Sequence, residues 1–358
     1  MKGISRRTVF VLIALAVVGF LLYRSRGVIQ LQEFSWSHLK ATILGVNGWY
    51  VLLAVMGIYG AYAIRAVRWA RFSQHLGPQS FIRLFKATLI GFASLFLLGR
   101  AGEPVRPILI ARREGVPISS EFGIYVLERI CDLCSTFVIM GLSLLTFPNL
   151  FESRGGSSRA LLTAMRVTGS GMLVALPVII GFLIYFRLHG AGKLQTRMDE
   201  WRAAGKLSGW RGKIAGLLQG FGQGLQAIQS FSDLALAVGY TALHWGLIVV
   251  IYWLVSASFG GRLAEIGISG AMLTLAFGMV GSTLQLPGVG GGSQAACFVA
   301  LSAVLGVEKE PAAAAAILIW LVTFAACSLA GIPLMFLEGF SVGELKQMAK
   351  AKAQEPAR

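Results

Sequence analysis

The chain has 358 residues, of which 56% are hydrophobic and only 13% are charged, and its formal net charge is +16. A surface in contact with water needs more charged residues than this, so the composition excludes a soluble globular protein. The positive charge does not indicate a nucleic-acid partner, because the lysines and arginines form no single patch interleaved with exposed aromatic residues. The sequence predicts an all-α integral membrane protein with a single membrane domain over residues 1–358.

Six apolar stretches are predicted to cross the roughly 30 Å of hydrocarbon in a bilayer. The first is short and has a basic start like a signal peptide, but no cleavage site follows it, so we expect an uncleaved span. The six predicted spans are residues 8–23, 48–64, 120–147, 161–186, 234–259 and 312–337.

Two further apolar stretches, residues 81–110 and 271–305, are interrupted. The first breaks at GRAGEPVRP (residues 99–107) and the second at LPGVGGGS (residues 286–293). Glycine and proline interrupt helical hydrogen bonding, and free backbone groups are tolerated in a bilayer only where protein or a watery cavity covers them. Both stretches are therefore predicted to form re-entrant hairpins of broken helix.

The basic residues are concentrated in four clusters, residues 2–7, 65–86, 187–213 and 346–358, which alternate with poorly basic segments along the chain. With both hairpins re-entrant, the positive-inside rule predicts that the two termini and a basic loop at residues 187–233 are cytoplasmic, in a cell inner membrane. Tryptophans beside lysines and arginines in residues 190–230 favour a helix lying in the membrane interface, although a plain basic loop is the alternative.

The predicted membrane topology, six spans and two re-entrant hairpins, contains an inverted repeat. Residues 48–147 form a span, a hairpin that enters from the cytoplasm and a span, and residues 234–337 repeat this order with a hairpin that enters from outside. Many secondary transporters use inverted repeats with broken helices to build one site that is reached alternately from either side.

Ionisable residues flank the first hairpin. Arg100, Glu103 and Arg106 recur at i, i+3 and i+6 across the break, and the next span contains Glu128, Arg129 and Asp132. Facing lipid, each would cost about 2.5 to 3.5 kcal/mol, so we expect them to face the protein interior. Two interpretations remain open, a structural network of salt bridges and a ligand-binding site.

The second break offers polar side chains and flexible backbone instead of charge: Ser282, Gln285, Pro287, Gly288, Ser293 and Gln294. Its glycine-rich string lacks the lysine of a P-loop and follows no strand, so nucleotide binding is not indicated. Cys131 and Cys134 form a CxxC within an apolar span, where two small packing residues are a better interpretation than redox chemistry. No disulfide, metal or other cofactor is predicted, since the histidines show no ligand spacing.

A resemblance to a known family rests on three motifs. The run GRAGEPVRPILIARREGVP (residues 99–117), followed by LERICD (residues 127–132) and then by LPGVGGGSQ (residues 286–294), resembles the lysylphosphatidylglycerol synthase transmembrane family, its flippase-type domain. The family usually carries a glutamate where this sequence has Gln294. The resemblance covers nearly the whole chain.

The resemblance implies a lipid translocase that moves an anionic, aminoacylated or polyprenyl-phosphate lipid between leaflets, with membrane lipids as partners. Because the chain ends at Arg358, we expect no soluble aminoacyltransferase domain, no enzymatic activity, and a separate enzyme that makes the lipid. The residues predicted to bind the substrate are Arg100, Glu103, Arg106, Glu128, Arg129, Asp132, Gln285, Pro287, Gly288 and Gln294.

Two other functions remain open at this stage. An ion-coupled transporter of a small solute would use the same inverted architecture. An intramembrane enzyme acting on lipids would need a nucleophile or base with partners, and Glu128 and Asp132 are accompanied by no serine, histidine or metal signature.

Overall fold

A computed structural model describes residues 36–152, 159–185, 230–286 and 290–351. The predicted span at residues 8–23, nearly all of the predicted basic loop with its interfacial helix, and positions Pro287 and Gly288 lie outside these ranges.

The described residues form helices almost throughout. In chain order the helices are α1 (Trp36–Leu44), α2 (Gly48–Phe72), α3 (Phe81–Leu98), α4 (Val105–Glu114), α5 (Ile118–Glu152), α6 (Arg159–Tyr185), α7 (Phe231–Ala257), α8 (Gly261–Ala264), α9 (Gly267–Gly281), α10 (Gly292–Val299), α11 (Lys309–Trp320), α12 (Ala326–Leu337) and α13 (Val342–Ala351). Turns of 3₁₀ helix cover Gln74–Leu76 and Gly99–Gly102, π-helical segments cover Ala300–Val304 and Leu321–Ala325, and two short strands are β1 (Gln285–Leu286) and β2 (Gly290–Gly291).

Local sequence signals explain where several helices begin and end. The side chain of Asn47 accepts a hydrogen bond from the backbone N–H of Trp49 (3.0 Å) at the start of α2. Ser230 and Asp233 form a reciprocal capping box at the start of α7. Gly115 has a left-handed backbone (φ +68°) that ends α4, which a glycine adopts without steric cost.

The predicted class, a polytopic bundle of membrane helices, is confirmed. Among the described residues, five helical segments are long and apolar enough to cross a membrane: Gly48–Phe72, Phe81–Gly102, Ile118–Thr146, Ser232–Ala257 and Lys309–Leu337. The prediction ended the second span too early. Helix α2 continues to Phe72, so Arg65 and Arg68, assigned from sequence to a cytoplasmic basic cluster, lie inside a candidate span and are buried.

The first break forms a helical hairpin whose arms are α3 and α4. At the open end, Arg83 Nε donates to Glu114 (2.8 Å). Nearer the turn, the two arms are so close that a Cβ on Gly91 would lie 2.6 Å from the Cβ of Arg106. The chain reverses in the 3₁₀ turn at Gly99–Gly102, so the tip coincides with the predicted break.

The second break also forms a helical hairpin, with α9 as one arm and α10 with its π-helical continuation as the other. A Cβ on Gly278 would lie 2.9 Å from the sulfur of Cys297, and Gly281 lies against the backbone of Gly292. At the tip, β1 and β2 pair antiparallel with Gln285 opposite Gly291. Absence of side chains at the glycines permits this close approach.

The two hairpins pack in a reciprocal manner around a central pair of helices, α2 and α7. The first hairpin packs through α3 on α12, whereas the second packs through α9 on α5. Each hairpin therefore packs against a helix that follows the other hairpin in the chain. The boundaries of the inverted repeat, residues 48–147 and 234–337, stay a prediction.

The chain that follows α12 contacts the open end of the first hairpin through ion pairs. Glu338 forms ion pairs with Lys86 (3.8 Å) and with Arg113. Helix α13 then buries Leu345 and Met348 in the apolar cluster that surrounds this hairpin. These contacts hold the last helix and the first hairpin together.

Candidate functional site

A cluster of ionisable side chains, all of them buried except the exposed Arg129, joins three helices. We call it the arginine cluster and define it by Arg65 and Arg68 of α2, Arg106 of α4, and Glu128, Arg129 and Asp132 of α5. Spacings of one turn bring Arg65 and Arg68 onto one face of α2, and Asp132 of α5 lies one turn from both Glu128 and Arg129. The hairpin brings Arg106 to the same place from the other side.

Glu128 is the centre of the cluster and is almost fully buried, with 1% of its surface exposed. Its Oε1 accepts hydrogen bonds from Nη1 of Arg65 (2.7 Å) and Nη2 of Arg68 (2.8 Å). Its Oε2 forms an ion pair with Arg106. One carboxylate therefore holds α2, α4 and α5 together.

Asp132 lies one turn further along α5. Its Oδ2 forms ion pairs with Nη2 of Arg65 (3.2 Å) and Nη2 of Arg129 (2.8 Å), and its Oδ1 pairs with Nη2 of Arg68 (3.1 Å). The indole Nε1 of Trp245 also donates to Oδ1 (3.2 Å). The carboxylate thus connects the cluster to α7.

Helix α7 contributes neutral polar contacts to the cluster. Arg68 Nη1 donates to the hydroxyl of Thr241 (2.9 Å). Nε2 of His244 lies 3.2 Å from Nη2 of Arg65, and its Nδ1 lies 3.2 Å from the carbonyl oxygen of Ala61. Since arginine can only donate, Nε2 accepts and Nδ1–H donates to the carbonyl, so His244 is neutral.

Aromatic rings lie against three of the guanidinium groups. Arg106 sits over the ring of Trp69 at 4.3 Å, Arg129 over Tyr125 at 5.3 Å and Arg65 over Phe92 at 5.4 Å. Cation–π contacts of this kind contribute about 0.5 to 2 kcal/mol, more where water is excluded. They partly offset the loss of hydration.

The cluster contains more positive than negative charge. Four arginines meet two carboxylates, and among the described residues no third carboxylate forms an ion pair with any of these arginines. Arg65, Arg68 and Arg106 are all buried. Buried charge is costly unless it is paired, so this excess creates a site that favours a bound anion.

A cavity of about 190 Å³ opens beside the cluster. Arg65 and His244 form one wall, and Ser282 and Ser293 of the second hairpin form another. Most of the remaining lining is apolar or aromatic, including Phe92 of the first hairpin. The cavity therefore lies between the two hairpins and in contact with the arginine cluster.

Part of the cavity wall is a π-helical segment, Leu321–Ala325, which supplies Thr323 and Phe324. The wider turn disrupts the regular hydrogen bonding of the helix. Tyr59 and Tyr62 of α2 donate to the carbonyl oxygens of Ala326 (2.7 Å) and Thr323 (3.4 Å). Single π turns within α-helices are frequent at functional sites.

The structure divides the sequence-predicted site. Arg106, Glu128, Arg129 and Asp132 meet in the arginine cluster, as described. Arg100 and Glu103 lie apart from it, at the tip of the first hairpin, where they pair with each other (3.2 Å). Glu103 also accepts a hydrogen bond from the hydroxyl of Tyr125 (2.7 Å).

The predicted residues of the second hairpin have different outcomes. Gln294 uses its side chain to accept a hydrogen bond from the backbone N–H of Gly291, so it helps to shape the hairpin turn. The backbone of Gln285 lies in β1, but the structure does not describe its side chain. Pro287 and Gly288 lie outside the described residues altogether. Their predicted role in binding stays a prediction.

Sequence reasoning missed Arg65, Arg68, His244 and Trp245. The arginine pair was hidden because basic residues near the end of a span are usually cytoplasmic. His244 and Trp245 had a usable signal, since a histidine in the middle of an apolar span is costly unless it faces a polar partner.

The tips of the two hairpins touch. Nη2 of Arg100 donates to the carbonyl oxygen of Ser282 (3.2 Å), and Ser282 also lines the cavity. We expect a bifunctional thiol reagent to join Arg100→Cys and Ser282→Cys in a chain without its native cysteines, with each single variant as control. Intact mass spectrometry detects the bridge, and failure to form it in the folded protein would contradict this contact.

These features define a multi-pass helical membrane protein with two opposed hairpins, a buried arginine-rich cluster and a cavity between the hairpins. The chain belongs to the family described as the Lysylphosphatidylglycerol synthase TM region, which it matches over residues 11–331. No curated protein and no solved structure matches it. The family, suspected from the three motifs, is thereby confirmed, and it indicates a function related to membrane lipids.

Proposed function

We propose that the protein is a lipid translocase that moves an anionic, aminoacylated or polyprenyl-phosphate lipid between the leaflets of the membrane. The excess of arginine over carboxylate in the buried cluster carries this proposal. A phosphate group would neutralise the excess, and arginine binds phosphate oxygens in a planar, bidentate geometry.

The arrangement of the hairpins supplies a route for the headgroup. Arg65 belongs to the arginine cluster and also lines the cavity, and Ser282 belongs to the cavity and also to the contact between the hairpin tips. A headgroup could pass along these polar groups while its acyl chains stay in the bilayer. The reciprocal packing of the two hairpins is consistent with access that alternates between the two faces.

The proposal assigns transport rather than catalysis to the cluster. Both carboxylates are occupied by several arginines, and the neighbouring histidine donates to a backbone carbonyl. These contacts already occupy the groups that an intramembrane enzyme would need as a base. The lipid would come from a separate enzyme.

The positive-inside rule provides the proposed orientation. The described basic residues Arg83, Lys86 and Arg113 lie at the open end of the first hairpin, and Lys346 follows the last span. Placing this end in the cytoplasm puts the C-terminus there as well. We propose the cell inner membrane, with cytoplasmic termini, as the location.

Leaflet exchange in proteoliposomes tests the proposal. We expect wild-type protein to accelerate exchange of a labelled phosphatidylglycerol, and Arg65→Gln to reduce the acceleration roughly tenfold or more, because a hydrogen bond to a charged group contributes about 1.5 to 3 kcal/mol. Arg65→Gln leaves Glu128 paired with Arg68, Arg106 and Arg129, so folding should persist. Arg262→Gln, an exposed position on α8, is the matched control.

Two results would overturn the proposal. One is exchange by Arg65→Gln at the wild-type rate. The other is a folded wild-type protein that exchanges no lipid, with or without a pH gradient, while it takes up a small anion; the cavity would then belong to a solute carrier.

A further inference from the structure

Glu121 is a buried carboxyl group that does not belong to the arginine cluster. It lies in the first turn of α5, and 0% of its surface is exposed. The indole Nε1 of Trp69 donates to its Oε2 (2.6 Å), and the side-chain amide of Gln79 donates to its Oε1 (3.3 Å). Among the described residues no lysine or arginine forms an ion pair with it. Both side-chain contacts are therefore hydrogen bonds from neutral groups.

The lack of a paired cation distinguishes Glu121 from the two carboxylates of the arginine cluster. A buried carboxylate is costly unless it is paired, and a carboxyl group without a cation can avoid this cost by binding a proton. The charged groups that act on Glu121 are Arg106, which lies over the ring of Trp69, and Glu114, which already pairs with Arg83 (2.8 Å). Glu121 is thus a buried group whose charge can change.

Gln79 can serve both charge states of Glu121. Its Oε1 accepts from the hydroxyl of Ser73 (2.8 Å), and that hydroxyl lies equally close to the backbone carbonyl oxygen of Trp69 (2.8 Å). If Glu121 takes a proton on Oε1 and the amide of Gln79 turns over, the acid donates to the amide oxygen, the amide N–H donates to Ser73, and Ser73 donates to the carbonyl. Each group keeps a hydrogen bond, so a proton can enter without leaving a buried polar atom unpaired.

Gln79 also connects Glu121 to the end of the molecule that is proposed to be cytoplasmic. It is half-buried in the loop between α2 and α3, beside the exposed Pro78. Helix α3 begins two residues later, at Phe81, which is the open end of the first hairpin. A proton from cytoplasmic water would therefore reach Glu121 at the side chain of Gln79.

Trp69 connects Glu121 to the arginine cluster on the other side. Its Nε1 donates to Glu121, and its ring lies against the guanidinium of Arg106 at 4.3 Å. On α5, Glu121 precedes Glu128 by nearly two turns, which is about 10 Å along the helix axis and on the same face. An ionised Glu121 is a third carboxylate near the cluster and reduces its excess of positive charge, whereas a protonated Glu121 leaves that excess in full.

We propose that Glu121 is a proton-binding site, and that a proton bound there strengthens the binding of an anion by the arginine cluster. The inference rests on the proposed function for the identity of the anion, a lipid phosphate, and it adds a coupling of that binding step to protons. Because linkage is reciprocal, binding of the anion also promotes proton uptake by Glu121. Coupling between two sites typically changes affinity by a factor of about 5 to 150.

Calorimetric titration of the purified full-length chain with dihexanoyl phosphatidylglycerol tests the linkage, in buffers that differ in their heat of ionisation. The phosphodiester stays singly ionised from acidic to alkaline pH, so a proton taken up on binding goes to the protein. We expect wild type to take up a proton on binding and to bind the lipid about fivefold or more tightly in acidic than in alkaline buffer. No uptake and equal affinity in both buffers would overturn the inference.

Two variants and a control assign the proton to Glu121. Glu121→Gln copies the hydrogen bonds of the protonated form, because its amide oxygen accepts from Trp69 and its N–H donates to Gln79, so it should fold and take up no proton. Gln79→Lys supplies the missing cation and holds Glu121 ionised, so uptake should be lost although the carboxyl group is present. Glu265→Gln, the same change at an exposed position, should take up a proton as wild type does. Wild-type uptake by Glu121→Gln would place the proton elsewhere and contradict the proposal.

Infrared difference spectra of the lipid-free protein provide an independent readout. In mildly acidic buffer exposed carboxyl groups stay ionised, and the spectrum of wild type minus Glu121→Gln should contain the carbonyl band of a protonated carboxyl group. Absence of this band would overturn the site. If proton uptake is observed but no leaflet exchange occurs, the proposed function fails and the proton site stands. If leaflet exchange occurs and lipid binding takes up no proton, the inference fails alone.

Discussion

Glu128→Gln is expected to cause the largest loss of stability of any single change in the arginine cluster. Glutamine has nearly the same shape as glutamate but no charge, so Arg65 and Arg68 would keep only Asp132 as an ion-pair partner, and Arg106 would lose the one carboxylate that it pairs with among the described residues. Removing one partner from a buried ion pair costs about 3 to 5 kcal/mol. A thermal unfolding experiment in detergent should show a fall in the melting temperature of roughly 10 °C.

Two further variants decide whether charge is the cause. Glu265→Gln, at an exposed position on the loop after α8, should leave the melting temperature unchanged. The double variant Glu128→Gln, Arg65→Gln removes one cation together with the anion, so it should recover part of the loss. A melting temperature of Glu128→Gln equal to that of wild type would mean that the cluster contributes little to the fold.

The two interpretations of the cluster, structural network and binding site, apply to different parts of it. Glu128 is enclosed by three arginines and lies outside the cavity lining, so its role is to hold helices together. Arg65 has an unpaired Nε and forms part of the cavity wall. A rigid network on one side of Arg65 would orient its guanidinium for a ligand on the other side.

The sequence predicted those parts of the fold that have a local signature. Long apolar runs indicated the spans, and the glycine and proline clusters indicated both hairpin turns. The ionisable triplet in α5 indicated an inward-facing site, since its alternative was exposure to lipid. Each of these signals depends on residues that are close together in the chain.

Features that depend on contacts between residues far apart in the chain could not be predicted from the sequence. Arg65 and Arg68 follow an apolar run, and nothing near them in the chain shows that Glu128 lies opposite. Trp320 is an ordinary residue of an apolar span, and only its position beside the second hairpin gives it a role in the cavity. Arg100 and Glu103 lie outside the arginine cluster because of the hairpin turn. The i, i+3 and i+6 spacing suggested one helix face shared with Arg106, but the turn separates the two residues from it.

Close contact between glycines determines the shape of the second hairpin and therefore of the cavity. Gly281 and Gly292 lie on opposite arms, and a Cβ on either would meet the carbonyl oxygen of the other, well inside contact distance. A Cβ on Gly281 would in addition lie 2.6 Å from the Cβ of Ala296. Because the obstacles are backbone atoms, rotation of a side chain cannot relieve the clash.

Gly281→Ala is therefore expected to push the two arms apart. Overpacking of this kind costs about 1 to 3 kcal/mol, and the displacement would separate Ser282 from Ser293, which line the cavity from the two arms. Thermal unfolding should show the loss of stability, and titration with dihexanoyl phosphatidylglycerol should show weaker binding. Gly246→Ala is the matched control, because Gly246 lies within α7 and a Cβ there would meet nothing within 4 Å.

The control is expected to be neutral or slightly stabilising, since alanine is favoured over glycine in a helix by about 1 kcal/mol. If Gly281→Ala lowers the melting temperature while headgroup binding is preserved, the hairpin contact serves the fold only, and the cavity tolerates movement of its second wall. If both properties fall together and Gly246→Ala changes neither, the spacing of the two arms sets the position of Ser293. Packing at a pair of glycines would then determine where the headgroup is held.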